Sequence, residues 1–554
     1  MRLKSNSFYC LLPSKLVGAL VMGSALAVGN LSVSYAAVNF SEYGNPGSGW
    51  QDTQPTALPS TTPPAAQPSI VPPASAAQWV NEQGLTTHGQ AMLQTLNHAW
   101  EDGLSPSRYR VKQIEQLHQL TIQTPEHQSQ LHDALLRAVA LYAQDLEYGA
   151  LPSSRHDRLN IAAERPSVET TIATIQQQSD VAAWLHALAP QSLIYTQMKR
   201  ALISYHDIHK HGGWPKFQSN GSLKPGQTHP AVKNLYKILL ATGDYSGPAP
   251  QHNLYHGALV DAVKQFQKRH GLTADGSIGP STRAALNVPV EDRIDQIRLS
   301  MERIRELPNN FGNKYIIVNI PSFELTAYEN GTEQLSMPVI VGRQERKTPL
   351  FSNQITTAEF NPVWYVPQSI ARKDIIRHIQ EDPDYLTKGN FTVSSEGEEI
   401  DPASIDWQSV DTEDFPYQFR QASGDKNALG KVKFTLPDNQ SVYLHDTSDR
   451  RLFAKDFRAL SSGCIRISDP KALAEYILKG NMGWDEKRIK QSFESSRNFA
   501  VPVTPVPVHT VYWTAWTDHT GQLNFRSDLY KKDKPLLAAL GPLQGEEALQ
   551  IASR

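Results

Sequence analysis

The strongest constraint on what this chain can fold into is a change of hydrophobic period near Tyr315. From Trp79 to about His211 apolar residues recur at helical spacing, as in Met92, Leu93, Leu96 and Trp100, and again in Val181, Trp184, Leu185 and Leu188. That spacing gathers them on one face of each helix. Beyond Tyr315 the apolar residues come in short β-branched and aromatic runs. Examples are Ile316-Ile317-Val318-Asn319-Ile320, Leu325-Thr326-Ala327-Tyr328 before the turn Glu329-Asn330-Gly331, Met337 to Gly342, Phe360 to Pro367, and Val432-Lys433-Phe434. Such runs bounded by turn residues read as strands. At 554 residues the chain has room for several domains. The expectation is a multidomain α+β protein, helical first and mostly β afterwards.

Between these regions, Val290 to Leu307 reads as an amphipathic connecting helix, with Ile294, Ile297, Leu299, Met301, Ile304 and Leu307 apolar among charges. Within the β region the strand pattern lapses from about 369 to 420 into acidic, aromatic and helical pieces. A long insertion in a compact domain is usually functional, so a lid is expected there. A last strand pair is expected at Val508–Trp516 and Gln522–Ser527, around the turn Asp518 to Gly521.

The start of the chain bears on the compartment. Arg2, Lys4 and Lys15 precede an apolar run from Leu16 to Val28, and Ser34-Tyr35-Ala36 supplies small residues for cleavage, so 1–36 reads as a secretory signal. The run falls short of the roughly 20 residues that span a bilayer, and no later segment qualifies as transmembrane. Residues 37–78 are rich in Pro, Ser and Thr and read as a disordered tether. An exported, periplasmic protein is expected. The net charge of −2 argues against a nucleic-acid partner.

Export changes the meaning of the cysteines. The chain has two, and Cys10 lies inside the signal, which leaves Cys464 without an intramolecular partner where thiols normally pair. Such a cysteine suggests an intermolecular bridge or a reactive thiol. It sits in Leu460-Ser461-Ser462-Gly463-Cys464-Ile465-Arg466-Ile467, after Tyr443-Leu444-His445-Asp446-Thr447. A thiol becomes a strong nucleophile only when a base or positive charge helps it ionise, and His445 at a strand end is the nearest such group. Gly463 would let a substrate approach the backbone, and the amides of Gly463 and Cys464 would face a developing oxyanion. The competing reading is a buried, inert structural cysteine. His206, His209 and His211 have spacings that could hold a metal, but Gly212-Gly213 follows directly and structural zinc wants four fixed ligands, so no metal is expected.

Residues 229–288 form a compact helix–turn–helix pattern. The run Ala262-Val263-Lys264-Gln265-Phe266-Gln267, Gly271-Leu272, Asp275-Gly276-Ser277-Ile278-Gly279 and Thr282 resembles the peptidoglycan-binding domain family. With that module, the strands, His445, and Ser461, Gly463, Cys464 and Arg466 in place, nearly everything after the tether resembles the L,D-transpeptidases with a YkuD-type catalytic fold. The resemblance is to their large periplasmic subgroup with a helical scaffold and a capping insertion. Ser462 stands where the commoner family pattern has a second histidine.

The resemblance implies a helical scaffold domain at 79–228, a peptidoglycan-binding domain at 229–288, a connecting helix at 289–312, a mostly-β catalytic domain at 313–530 with its capping insertion at about 369–420, and a tail at 531–554. It implies Cys464 as nucleophile, His445 as general acid and base oriented by a main-chain carbonyl near Asp446, and the Gly463 amide as an oxyanion donor. Arg466, Ser462, Tyr443 and Trp364 would bind substrate; surface ion pairing for Arg466 and core packing for Tyr443 and Trp364 stand as alternatives. The implied reaction needs no cofactor. Cys464 attacks the amide between the L-centre of diaminopimelate and the terminal D-Ala of a tetrapeptide stem, and a second stem resolves the thioester as a 3-3 cross-link. Carbapenems are implied covalent inhibitors, and proteins of cell-wall synthesis are possible partners. Hydrolysis by an L,D-carboxypeptidase, anchoring of a lipoprotein, and a structural wall-binding protein with an incidental thiol are the alternatives. A papain-like protease is disfavoured because the flanks of Cys464 lack that family's signature.

Overall fold

The computed structural model describes residues 79–120, 124–151, 164–308, 310–437 and 442–543. The expected signal and tether at 1–78, and the last part of the expected tail at 544–554, lie outside the described residues.

The helical first part opens with Thr87–Asn97, Val111–Gln119 and the long Pro125–Tyr148, followed by Val168–Gln176, Val181–Leu188 and Leu193–Lys210. Five of these starts are set by local chemistry. The side chains of Thr86, Thr124, Ser167, Asp180 and Ser192 each accept a hydrogen bond from a first-turn amide, satisfying donors the helix itself cannot. Leu96, Leu135, Val139 and Ile175 close the core between them. The three histidines make separate contacts: His206 meets Trp100 edge-on at 4.5 Å, His209 lies 3.0 Å from Glu291, and exposed His211, at the helix end, lies 3.6 Å from Asp207 of its own helix.

The small module is three helices, Val232–Ala241, Ala258–Arg269 and Pro280–Leu286. Its glycine loop is tied by one side chain: Gln267 accepts from the Gly276 amide at 2.8 Å and donates to Asp275 at 3.1 Å and to the Ser277 carbonyl at 3.0 Å. The motif read in the sequence is therefore a hydrogen-bonded turn, with Gly276 at φ +76° where other residues are strained.

The helix Val290–Arg305 departs from expectation. It is buried almost all round, including Arg293, Arg298, Glu302, Arg303 and Arg305. Its charges are met by other elements: Arg298 donates to the carbonyls of Gly103 at 3.3 Å and Gly541 at 2.9 Å, and Arg303 pairs with Asp533 at 2.7 Å. Satisfied charges can be buried where bare ones cannot, so an apparent surface helix is a central strut packed on Leu193–Lys210.

The β region is a nine-stranded sheet: β1 Lys314–Asn319, β2 Glu324–Glu329, β3 Thr332–Gly342, β4 Phe351–Phe360, β5 Val432–Thr435, β6 Leu444–His445, β7 Ala459–Ser461, β8 Ile465–Ile467 and β9 Phe499–Val511. The order is β7-β3-β8-β6-β5-β4-β9-β1-β2, and β2 also pairs with β3, so the sheet closes on itself. Closure leaves only the short β7, which pairs with β3 alone, at an edge. Alternate residues fill the interior, among them Ile316, Val318, Val341, Ile355, Val432, Phe434, Leu444, Ile465 and Ile467, as the two-residue period of a strand requires.

Two expectations near the end are corrected. The residues expected to begin a last hairpin at Val508 instead finish β9, and the hairpin itself is Ala515–Thr517 with Leu523–Phe525. The region assigned to a tail begins with a helix, Asp533–Leu540, whose Leu536 is buried.

The insertion is a cap with its own core. Strands Trp364–Tyr365, Phe391–Ser395, Glu398–Ile400 and Tyr417–Gln421 form a separate sheet, and helical turns from Gln368 to Glu381 cover it. Val366, Ile375, Ile379, Val393 and Phe419 are buried between them. Its two crossings to the barrel are joined by buried Asn427, which donates to the carbonyls of Pro362 at 3.1 Å and Ala422 at 2.9 Å.

Candidate active site

Neighbouring strands bring the histidine and the cysteine to one surface. β6 and β8 run parallel, with Leu444 opposite Ile465 and His445 opposite Arg466. Residues directly opposite share a face of the sheet, and faces alternate along each strand. Leu444 and Ile465 point into the barrel core. Tyr443, His445, Cys464 and Arg466 therefore share the outer face. All four line one cavity of about 400 Å³ beneath the cap, together with Trp364.

The loop that carries the thiol is braced from several sides. Ser461 Oγ donates to the Cys464 carbonyl at 2.6 Å and accepts from the Gly463 amide at 3.1 Å. Thr348 donates to the Gly463 carbonyl at 2.8 Å and accepts from the Gly342 amide at 2.9 Å. Gly463 sits at φ +121°, a conformation that favours glycine. The expectation that its amide faces the oxyanion is corrected: that donor is engaged by Ser461 within the loop.

His445 is buried, and its Nδ1 lies 2.5 Å from the Asp446 carbonyl oxygen. A carbonyl only accepts, so Nδ1 carries the proton and Nε2 is left as the basic nitrogen. Asp446 fixes this turn with its carboxylate, which accepts from the amides of Lys431 at 2.8 Å and Thr447 at 2.7 Å and from Arg450 at 2.6 Å.

Both reactive groups are held neutral. Burial, with the charge of Arg466 behind it, lowers the His445 imidazole to about 3. Burial also pushes the half-buried Cys464 thiol up, outweighing hydrogen bonding to Tyr443 and the charges of Arg466 and Lys433. The pair rests as thiol and imidazole, not as thiolate and imidazolium. Tyr443 packs edge-on to His445 at 5.5 Å with the Lys433 ammonium 5.4 Å from its ring.

The remaining expected residues fall into two groups. Arg466 reaches the cavity, burial lowers its guanidinium, and its Nε has no hydrogen-bond partner. Trp364 lines the cavity from the cap side, on the strand that leaves the barrel. Ser462 also lines the cavity, and its hydroxyl is engaged by two arginines absent from the sequence reading, accepting from Arg343 at 2.9 Å and Arg346 at 2.8 Å. Those arginines in turn meet Asp374 of the cap, Arg346 as a bidentate pair and Arg343 at 3.6 Å. The available signal was the basic turn Arg343-Gln344-Glu345-Arg346-Lys347 directly after the strand-ending Gly342.

Three family matches agree with this architecture. Residues 313–507 match the YkuD family, described as the L,D-transpeptidase catalytic domain; 74–202 match a scaffold domain; and 228–286 match a family described as "Putative peptidoglycan binding domain". A curated protein of Haemophilus influenzae named "Putative L,D-transpeptidase" is 38% identical over 249 residues, which cover 44% of this chain and 50% of that protein. The chain thus spans about half the length of the curated relative it matches. Among solved structures, an L,D-transpeptidase of Xylanimonas cellulosilytica is 16% identical over 53% of this chain and 98% of its own, at a TM-score of 0.18. An L,D-transpeptidase from Mycobacterium smegmatis is 15% identical over 36% of this chain and 58% of its own, at a TM-score of 0.19. At such TM-scores these two carry no structural argument. By its domains, the chain carries a YkuD L,D-transpeptidase catalytic domain together with a scaffold domain and a peptidoglycan-binding domain.

Proposed function

We propose that this protein is a cysteine-dependent L,D-transpeptidase of the periplasm that joins peptidoglycan stems through 3-3 links. The observation that supports it most is the shared face of β6 and β8, which turns Cys464 and His445 into one capped cavity while Asp446 holds the imidazole in the tautomer of a base.

In this reading Cys464 Sγ attacks the carbonyl carbon of the diaminopimelate–D-Ala amide. His445 Nε2 takes the thiol proton as the C–S bond forms, so no free thiolate accumulates in a site that disfavours charge. The same nitrogen returns the proton to the departing amine, and D-Ala leaves a thioester. The side-chain amine of a second stem's diaminopimelate then attacks that thioester, giving up a proton to His445 and restoring the thiol. The peptidoglycan-binding module would hold the catalytic domain near its polymer. An L,D-transpeptidase has been solved in complex with imipenem, and we propose that carbapenems acylate Cys464 here.

Purified tetrapeptide stems test the reading. Dimers formed with release of D-Ala support transpeptidation. Tripeptide alone would convert the reading to a carboxypeptidase, and no reaction would remove it.

A further inference from the structure

The mechanism above uses Cys464 and His445 and leaves the arginines around them without a task. Arg343, Arg377 and Arg466 line the cavity, against a single lining carboxylate, Asp374. Arg377 reaches Glu381 at 3.8 Å on its own helix. The Nε atoms of both Arg343 and Arg466 are buried without hydrogen-bond partners. Each of these two guanidiniums lowers the affinity of the cavity for further positive charge. A largely buried guanidinium gains most from an anionic partner, and Arg343 already has one 3.6 Å away in Asp374.

Asp374 shows what such a partner looks like. It is the one acidic side chain that lines the cavity among the described residues, and it takes Arg346 in a bidentate pair with Arg343 at 3.6 Å. Both arginines also donate to Ser462, two residues before the nucleophile. Asp374 lies in a single π-helical turn, Ala371–Ile375, set between α-helical segments. Such turns are less favourable than α-helix and recur at functional sites. A planar guanidinium matches a carboxylate in a paired, directional way that a lysine does not.

We propose that Arg343 and Arg466 form the subsite for a carboxylate of the donor stem peptide, and that Asp374 on the cap is its internal stand-in, displaced from Arg343 and Arg346 when the peptide binds. This rests on the reading of the cavity as the stem-peptide site. Binding then loosens the contact between cap and barrel as it fills the cavity, and Ser462 passes the change to the loop that carries the thiol. Two stem carboxylates have the required chemistry, the terminal one of D-Ala and the second one of diaminopimelate.

Binding and turnover separate the outcomes. In the full chain carrying Cys464→Ala, calorimetry measures the affinity for the tetrapeptide, for its C-terminal amide, and for the peptide amidated at diaminopimelate. Adding Arg343→Gln should weaken the unmodified peptide about tenfold, the size of one lost charge-assisted pair. It should leave unchanged the one amidated peptide that already lacks the contacted carboxylate, which identifies the source. Adding Asp374→Asn should tighten the unmodified peptide severalfold, a gain that misfolding cannot produce. Equal weakening of all three peptides by Arg343→Gln, or weaker binding with Asp374→Asn, overturns the subsite. If the predicted affinity pattern appears but the chain with Cys464 intact turns over no stem peptide, the catalytic reading fails and the subsite stands. Turnover without that pattern leaves the reverse.

Discussion

The neutral resting pair makes a prediction about acid. An ordinary imidazole, with a pKa near 6.5, would be about 97% protonated at pH 5. His445, lowered to about 3 by burial and Arg466, stays almost wholly neutral there. If His445 must be neutral to take the thiol proton, an unperturbed histidine would cost about 25-fold in acylation rate between pH 7 and pH 5, whereas the buried one costs almost nothing. The Cys464 thiol, raised above its ordinary value, keeps the alkaline side flat as well. The assay is the rate of meropenem acylation, followed by intact mass from about pH 4.5 to pH 8, with tryptophan fluorescence recording the folded fraction at each point. A plateau across that range is expected. An acid limb with its midpoint near pH 6.5, in protein that is still folded, would refute the reasoning. Stability moves in the opposite sense to this plateau. Between about pH 6.5 and 3 the unfolded chain binds the proton that folded His445 refuses, so stability falls on acidification by up to about 1.4 kcal/mol per pH unit for this one group.

Other substitutions test the scaffold of the site. Gly463→Ala meets no close atom, since the nearest, the Lys347 carbonyl oxygen, lies 3.8 Å from the added carbon; its cost of about 1–2 kcal/mol comes from φ +121° alone, and thermal melting together with a slower acylation rate reads it. Thr348→Val removes the links to the Gly342 amide and the Gly463 carbonyl, leaving buried groups unpaired, and should cost about 2–4 kcal/mol in a urea titration. Asp244→Ala strips the partner from buried Arg269, now held at 2.6 Å, and should destabilise by about 3–5 kcal/mol, measured by the same titration.

Much of this was legible in the sequence because the informative features are local. The change of period at Tyr315 and the glycine-bearing turn of the small module, with Gly276 hydrogen-bonded to Gln267 at 2.8 Å, depend only on near neighbours. The histidine and cysteine were legible because a short crossover joins two adjacent strands. What was hidden depends on distant partners. β9 contains Pro502, Pro505 and Pro507, which argue against a strand inside a sheet; the structure accommodates them with a register shift between Pro502 and Val506. The charges of Val290–Arg305 concealed its burial, since their partners, Gly103, Gly541 and Asp533 among them, lie far away in sequence. Arg343 and Arg346 stand more than a hundred positions from Ser462, so no spacing rule links them. The Gly463 amide was misread because the Ser461 hydroxyl competes for it, which residue types alone do not reveal.

The most direct test of the central claim is intact-mass analysis after meropenem treatment, with peptide mapping of the adduct. The account predicts one added acyl group on Cys464, no adduct in Cys464→Ala, and much slower labelling in His445→Asn while the fold persists. An unlabelled protein, an adduct on another residue, or labelling indifferent to His445 would contradict it.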